Sequence, residues 1–220
     1  MTVLVIAPHP DDEVIGVGGT IAKRVKDGDK VVVCICTKGI HHMFSPEIIN
    51  VGRVEARCAS TYLGVRETIF LDLPAAELDR VPLTEIISRL EKVIEQTAPD
   101  EIFIPHHGDI HNDHKVIAAA SMVALRPKRF KKPYCILSYE VPSETGWDIP
   151  TADNAFIPTV YENIEDTIYN KLEALKIYQS QAESWPGARS VEAVKALAQY
   201  RGSTACVPYA EAFCLIRLIS

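Results

Sequence analysis

The chain has 220 residues, of which 47% are hydrophobic and 24% charged, the composition of an ordinary globular protein with enough apolar side chains for a substantial core. Its formal net charge of −6 argues against a nucleic-acid partner, because such partners select basic surfaces. One small basic cluster, RPKRFKK at 126–132, does not change this balance, and we predict that it forms a solvated loop.

The six cysteines form no Cys-x-x-Cys pair, and several lie in apolar, strand-like runs. We therefore predict that they are reduced and structural rather than bridged or metal-binding. The first apolar run ends after a few residues at Pro8-His9, which is too short for a signal peptide or a membrane-spanning helix. These patterns predict a cytoplasmic protein that does not act at a membrane.

Apolar runs alternate with amphipathic segments through the first two thirds of the chain. Continuous apolar strands are typical of a parallel sheet that is covered by helices on both faces. The predicted strands lie at 3–7, within 28–37, at 68–71, 101–105 and 134–140, and the predicted helices at 15–26, 50–63, 83–96 and 114–125.

The pattern changes after Val141. The segment 142–159 is rich in Pro, Thr and Asp and is typical of a long surface loop that contacts substrate. Beyond it we predict strands near 158–162 and 213–218 and helices at 165–180 and 190–200. No linker separates the two parts, so we predict one domain over residues 1–220, an α/β, Rossmann-like three-layer fold with a mainly parallel sheet and a C-terminal elaboration.

Two polar segments follow predicted strands directly. The first, IAPHPDDEVIGVGG at 6–19, puts three carboxylates side by side, and the second is IPHHGDIHNDH at 104–114. Ligands of an open parallel sheet bind outside the carboxyl ends of its strands, so we expect the two segments to meet at one edge. Together they contain five of the seven histidines and five carboxylates: His9, Asp11, Asp12, Glu13, His106, His107, Asp109, His111, Asp113 and His114.

Adjacent carboxylates repel one another unless a cation lies among them, so the residues predict a metal site. Two imidazoles and one carboxylate suit zinc in a hydrolase and equally ferrous iron in an oxygenase. The first segment alone is also compatible with a turn that caps a helix, and His106-His107 in the second with a solvated loop. A dinucleotide site at Gly16-Val17-Gly18-Gly19 is disfavoured, because these glycines start nine residues after the strand and Ile21 replaces the last glycine of the fingerprint.

The stretches APHPDDEVIGVGGTI and HNDH resemble the LmbE-like or PIG-L family of zinc-dependent N-deacetylases, which carry a (P/A)-H-P-D-D-E motif after the first strand and an H-x-D-H motif later. The segment GRVEARCASTYLGV resembles the Arg-rich helix of that family. YEVPS, YQSQ, YRG and YAEAF resemble C-terminal segments of its bacterial members. The resemblance therefore covers nearly the whole chain.

The resemblance implies a role for each matching residue. One zinc ion per chain would be held by His9, Asp12 and His114. Asp11 would be the general base that takes a proton from the attacking water. His111 would be an acid that stabilises the tetrahedral oxyanion or protonates the leaving amine. Two alternative interpretations are an iron(II) enzyme and a metal-binding module without turnover. The presence of both Asp11 and His111 argues against the second.

Further residues receive roles in the same way. Asp113 would orient a ligating histidine, and Arg53 in the Arg-rich helix would contact substrate. Asp109 stands where some members carry a tyrosine, so the resemblance supplies no second partner for the oxyanion. Family substrates are mostly N-acetylglucosaminyl compounds, so we expect a small N-acylated amino sugar or its conjugate. We also expect a homo-oligomer, a trimer or a hexamer, as soluble bacterial members form.

Overall fold

A single mixed sheet organises the computed structural model, which describes residues 1–40, 45–129, 132 and 134–220. Within these residues seven strands lie in the order β3-β2-β1-β4-β5-β7-β6. The first five strands are parallel, and β7 is antiparallel to both β5 and β6. The strands are β1 (Thr2–Ala7), β2 (Lys30–Lys38), β3 (Glu67–Pro74), β4 (Glu101–Pro105), β5 (Tyr134–Tyr139), β6 (Val160–Asn163) and β7 (Ala210–Ile219).

Helices cover both faces of the sheet, because each central strand buries side chains in two separate cores. Val3 and Val5 of β1 face one core, while Leu4 and Ile6 face the other. Helices α1, α2, α5 and α6 close the first core, and α3 and α4 close the second. The helices are α1 (Asp12–Lys26), α2 (Pro46–Leu63), α3 (Leu83–Thr97), α4 (Asn112–Ala124), α5 (Ile168–Ile177) and α6 (Val191–Thr204). The predicted α/β three-layer fold is confirmed.

Several helix starts differ from the prediction by a few residues. Helix α1 begins at Asp12 instead of 15, so the acidic part of the first motif forms its first turn. Helix α2 begins at Pro46 instead of 50, because the hydroxyl of Ser45 accepts the N–H of Ile48 and proline occupies the first turn. Its first residues are mostly exposed, so apolar periodicity could not reveal this start. The predicted end at Gly64, with φ of 77°, is confirmed.

The remaining sequence predictions have mixed outcomes. All six cysteines are free, as predicted. The part of the chain that the structure describes contains no helix long and apolar enough to cross a bilayer. The predicted loop at 126–132 contains a 3₁₀ turn over Pro127–Arg129, and positions 130 and 131 lie outside the described residues. Strand β7 begins at Ala210, three residues before the prediction, where it pairs with β6.

The strand order positions the site. Reading outward from β1, the order 3-2-1-4-5 reverses direction between β1 and β4. In open parallel sheets this reversal leaves a crevice at the carboxyl ends of the two strands, where ligands bind. The two polar segments that follow β1 and β4 therefore converge there.

Candidate metal centre

The loop after β1 is fixed by its own backbone contacts. Asp11 has the left-handed conformation, with φ of 106°, which an L-residue other than glycine rarely adopts. Its N–H donates to Oε2 of Glu13 at 3.1 Å, and its carbonyl accepts the N–H groups of Val14 at 3.0 Å and Ile15 at 2.9 Å. These bonds hold the strained residue at the start of α1, so the Asp11 and Asp12 side chains have defined positions.

The loop after β4 ends in a helix cap made by a histidine. The Nδ1 atom of His111 accepts the backbone N–H of Asp113 at 3.1 Å, which starts α4. Asp113 and His114 consequently lie in the first turn of α4, and both are fully buried. Because Nδ1 is the acceptor, the neutral imidazole of His111 carries its proton on Nε2.

His9, Asp12 and His114 form a group that can hold a metal ion, with one ligand atom of each within 4.8 Å of the others. Oδ2 of Asp12 lies 3.4 Å from Nδ1 of His9 and 3.2 Å from Nε2 of His114. Tetrahedral zinc with bonds of about 2.0–2.1 Å separates its ligand atoms by about 3.3 Å. Oδ1 of Asp12 and Nε2 of His114 are buried without a hydrogen-bond partner among the described residues. Such unpaired atoms are rare, so the donor set fits a cation.

In each histidine of this group, the ring nitrogen farther from Asp12 contacts another carboxylate. Nε2 of His9 is 2.9 Å from Oδ2 of Asp113, and Nδ1 of His114 is 2.8 Å from Oδ2 of Asp109. Such contacts fix which ring nitrogen faces the metal. The Asp113 contact is the one that its predicted orienting role requires. Asp109 makes the equivalent contact with His114, and the sequence did not reveal this role.

A second group, His9, His111 and Asp113, also has ligand atoms within 4.8 Å. Within this group, Nε2 of His9 is at hydrogen-bond distance from Asp113. Both oxygens of Asp113 already accept backbone N–H groups, from Ala76 at 2.6 Å and Leu78 at 3.3 Å. The first group, with its unpaired buried atoms, is therefore the better cation site.

The charges around His114 shift two pKa values in opposite directions. Burial lowers the pKa of His114, but Asp12 and the hydrogen bond with Asp109 raise it to about 10. Burial raises the pKa of Asp12, but His114 and His9 hold it well below its usual range. The same negative surroundings that retain a proton on His114 also attract a cation.

Asp11 lies beside this group without belonging to it. Burial and the neighbouring Asp12 raise the pKa of Asp11 well above its usual value, and Arg189 opposes them. Nη1 of Arg189 is 3.4 Å from Oδ2 of Asp11. Arg189 precedes α6, and neither periodicity nor a motif in the sequence drew attention to it.

His111 completes the cluster of rings. Its ring centroid is 4.5 Å from that of His9 and 5.6 Å from that of His114. Burial, followed by the charge of His9, lowers the pKa of His111 to about 4. His111 is therefore neutral at pH 7, and its proton lies on Nε2.

A cavity of about 510 Å³ opens beside the cluster. Arg53 contributes to its wall, where its guanidinium lies 4.1 Å above the Phe70 ring and pairs with Asp72. The segment 39–52 also contributes to the wall, and positions 41–44 within it lie outside the described residues. The lining includes His9, Gly39, Ile48, Ile49, Asn50, Arg53, Phe70, Asp72, His111, Gln181 and Arg189.

Three residues of the two polar segments lie outside the metal group and the cavity wall. His106 and His107 contact the carbonyl groups of Asn154 at 3.1 Å and Asp153 at 2.8 Å, so they hold the loop 142–159 and do not line the cavity. Glu13 is buried and accepts the Tyr178 hydroxyl, while burial raises its pKa to about 7. Residues of the loop 142–159 line a separate cavity of about 310 Å³.

The sequence matches a known protein family. The profile described as PIG-L, GlcNAc-PI de-N-acetylase, matches residues 4–125, which include both polar segments. An uncharacterized deacetylase, YaiS, of Escherichia coli (strain K12) is 29% identical over 184 residues, covering 81% of this chain and 90% of the relative. Diacetylchitobiose deacetylase of Thermococcus kodakarensis is 30% identical over 197 residues, covering 81% of this chain and 69% of the relative.

Solved structures agree with the fold. A diacetylchitobiose deacetylase from Pyrococcus horikoshii superimposes with a TM-score of 0.79 at 24% identity, over 98% of this chain and 83% of that one. A 4-carboxy-2-hydroxymuconate hydratase from Pseudomonas putida superimposes with a TM-score of 0.78 at 17% identity, over 100% of this chain and 97% of that one. Because one architecture serves two reactions, these likenesses support the fold, and the reaction has to be argued from the site.

Proposed function

Because the chain belongs to the PIG-L family of de-N-acetylases, which are hydrolases of amide bonds, we propose that it removes the acetyl group from an N-acetylglucosaminyl-type amino sugar with the help of zinc. The observation that carries this proposal is the His9, Asp12 and His114 group beside the cavity, with Asp11 adjacent to it. The family assignment from the sequence motifs is confirmed by the profile match.

Zinc is the proposed metal because two imidazole nitrogens and one carboxylate oxygen leave a fourth tetrahedral position open, as in other zinc hydrolases. When bound, zinc polarises a carbonyl oxygen and lowers the pKa of a water molecule to about 7. His9 and His114 would bind through Nδ1 and Nε2, since the opposite nitrogens lie against Asp113 and Asp109.

Asp11 would take a proton from the attacking water. Its oxygens have no hydrogen-bond donor among the residues described, so its lone pairs are available. Burial and the charge of Asp12 raise the pKa of Asp11, and this direction makes its carboxylate a stronger base.

The Nε2–H group of the neutral His111 ring would donate a hydrogen bond to the acetyl oxygen, where negative charge develops as water attacks. Its place in the cavity wall and its neutral ring support this role over that of a cationic acid. Cleavage of the C–N bond would then give acetate and a free amine, because the proton that Asp11 took from water passes to the nitrogen.

The substrate would occupy the cavity, whose volume of about 510 Å³ lies in the range of ordinary small-molecule sites. Arg53 is the proposed sugar contact, since it lines the same cavity as His9 of the metal group. We further propose, from the sequence pattern, a single domain over residues 1–220 and a cytoplasmic location, and, from the family resemblance, a homo-oligomer of three or six chains.

The deciding assay is anaerobic. Zinc-loaded protein is incubated with N-acetylglucosamine, diacetylchitobiose, and nucleotide-linked and glycoside forms, and acetate and free amine are measured. The matched control is the Asp11→Asn variant, which keeps every proposed ligand. Acetate from the native protein alone is the expected result. No acetate from any sugar, with turnover only in the presence of Fe(II) and air, would establish an iron enzyme instead.

A further inference from the structure

The side chain of Asp11 contrasts with its backbone. The backbone N–H and carbonyl are both bonded, yet neither carboxylate oxygen has a hydrogen-bond partner among the described residues, although both are buried. The next residue, Asp12, belongs to the metal group. An unpaired buried carboxylate next to a cation site gains energy by joining the cation's ligands, and once bound there it loses the free lone pairs that a base needs.

One cation approaches Asp11 from outside the metal group. Nη1 of Arg189 lies 3.4 Å from Oδ2 of Asp11, which is an ion-pair distance without hydrogen-bond geometry. The guanidinium is fixed from three other directions, since Nε donates to the Ser143 hydroxyl at 3.0 Å, Nη2 to Glu144 at 3.3 Å and Nη1 to Gln181 at 3.4 Å. These partners lie in two separate segments of the chain, so the position of Arg189 does not depend on Asp11.

We propose that Arg189 is a positioning residue, which holds the Asp11 carboxylate away from the cation bound by His9, Asp12 and His114. This inference rests on the proposed metal-dependent function. The guanidinium, which Ser143 and Glu144 hold in place, competes for the carboxylate with a cation bound in the metal group. Arg189 thereby keeps Asp11 free to accept a proton from water.

The chemistry of the side chain explains why arginine occupies this place. A planar guanidinium can contact several acceptors in fixed directions at once, whereas a lysine ammonium is a point charge on a flexible stem. Lysine at 189 retains the attraction for Asp11 but loses part of the framework to Ser143, Glu144 and Gln181.

Arg189 also lines the cavity, so a direct contact with substrate is the competing role. The two roles differ in what they change. If Arg189 contacts substrate, its substitution lowers the affinity for substrate and leaves the metal ligands unaltered. If Arg189 positions Asp11, its substitution changes the number of metal ligands even when no substrate is present.

Cobalt replacement reports this number. A tetrahedral Co²⁺ ion absorbs visible light strongly because its site lacks an inversion centre, and the absorption weakens when a fifth or sixth ligand is added. We expect Co²⁺-loaded Arg189→Met to lose d–d absorption intensity relative to the native protein, because Asp11 becomes a ligand. Arg189→Lys should restore part of that intensity. The double variant Arg189→Met with Asp11→Asn should regain it, since a neutral amide is a poorer ligand.

The matched control is Arg201→Met. Arg201 is an arginine of similar exposure, 15% against 21% for Arg189, which pairs with Glu140 and does not contact Asp11. Its cobalt spectrum should equal that of the native protein. Where an N-acetyl sugar is turned over, Arg189→Met should lower kcat by about 10²-fold, the scale of a misplaced catalytic group, and leave KM unchanged.

An Arg189→Met spectrum identical to the native one, or a raised KM with normal kcat, would overturn the positioning role. Loss of absorption that the second substitution at Asp11 does not reverse would overturn it too. The spectra need no substrate, so they judge Arg189 even if every sugar fails and the proposed reaction is wrong. A native protein that takes up no cobalt would refute the metal centre, and this inference with it.

Discussion

Oδ2 of Asp109, in the loop before α4, lies 2.8 Å from Nδ1 of His114 in the first turn of α4, and both side chains are fully buried. Oδ1 of Asp109 accepts the hydroxyl of Thr145 at 2.6 Å, so the carboxylate is itself fixed. This arrangement leaves only Nε2 of His114 to face the metal group.

The contact predicts the effect of Asp109→Asn. The amide preserves the size of the side chain but removes its charge, so His114 becomes a weaker ligand and its ring is held less firmly. Zinc affinity, measured by competition with a chelator, should fall about 10–100-fold. The control is Asp153→Asn, because only the backbone of Asp153 is seen to contact a histidine, His107. Unchanged affinity in Asp109→Asn would show that Asp109 does not support the ligand.

Zinc binding should release protons. Asp12 and Asp109 raise the pKa of His114 to about 10 against the effect of burial, so His114 is protonated in the metal-free protein at pH 7. Zinc requires the neutral ring, and binding must therefore displace this proton. The sign follows: apparent affinity rises with pH, about tenfold per unit for one proton, and levels off above about pH 10. Calorimetry at one pH in buffers of different ionisation enthalpy measures the release, and a heat independent of buffer would contradict it.

Asp12→Ala should lose most of the bound zinc. The substitution removes the one carboxylate of the metal group and leaves two histidines, which are too few for a closed tetrahedral site. Metal analysis after dialysis is the measurement. A full complement of zinc in this variant would transfer the ligand role to another carboxylate, with Asp113 as the first to test.

Asp11→Asn should keep its zinc and lose activity, in contrast to the substitution at its neighbour. A base that is not a ligand contributes to turnover alone, so kcat should fall by about 10²–10⁴-fold. Metal content and kcat are measured on the same preparation. Nearly normal turnover with zinc present would show that another group accepts the proton.

A buried ion pair that contacts the backbone of α1 predicts a large effect on the free energy of unfolding. Nζ of Lys171 lies 2.5 Å from Oε1 of Glu211 and donates to the carbonyl of Ile15, while Glu211 also accepts the N–H groups of Gly19 and Thr20. Lys171→Met leaves a buried carboxylate without its cation, which should lower the free energy of unfolding by about 3–5 kcal/mol.

Urea denaturation measures this loss. The control is Lys176→Met, in an exposed pair with Glu173 on the same helix, which should cost no more than about 1 kcal/mol. Adding Glu211→Gln to Lys171→Met should recover part of the stability. Equal effects of the two single substitutions would mean that burial of the Lys171 pair has no energetic consequence.

The order of strands and helices could be predicted from the sequence, because apolar periodicity reflects burial on one face or two. The motif after β1 and the motif before α4 could also be found, since a cluster of histidines and carboxylates at strand ends stands out in a chain otherwise poor in histidine. Both inferences use residues that are close together in the chain, where spacing determines which side chains share a face or a turn.

Only the tertiary structure separated the members of the cluster. His106 and His107 are adjacent to the second motif, yet they turn towards the loop 142–159, because the direction of a side chain depends on what packs against it. Asp109 was noted only as a replacement for tyrosine, and its position behind His114 required the turn between β4 and α4.

Arg189 shows the same limit most clearly. It reaches Asp11 through the folding of the segment between α5 and α6 against the start of α1, and no local pattern encodes that approach. The pKa values of Asp11 and His114 depend on burial and on charges from segments distant in the sequence, which come together only in the folded chain. Local sequence thus determined which chemical groups the protein possesses, while long-range packing decided which of them face the cation and which hold the others in place.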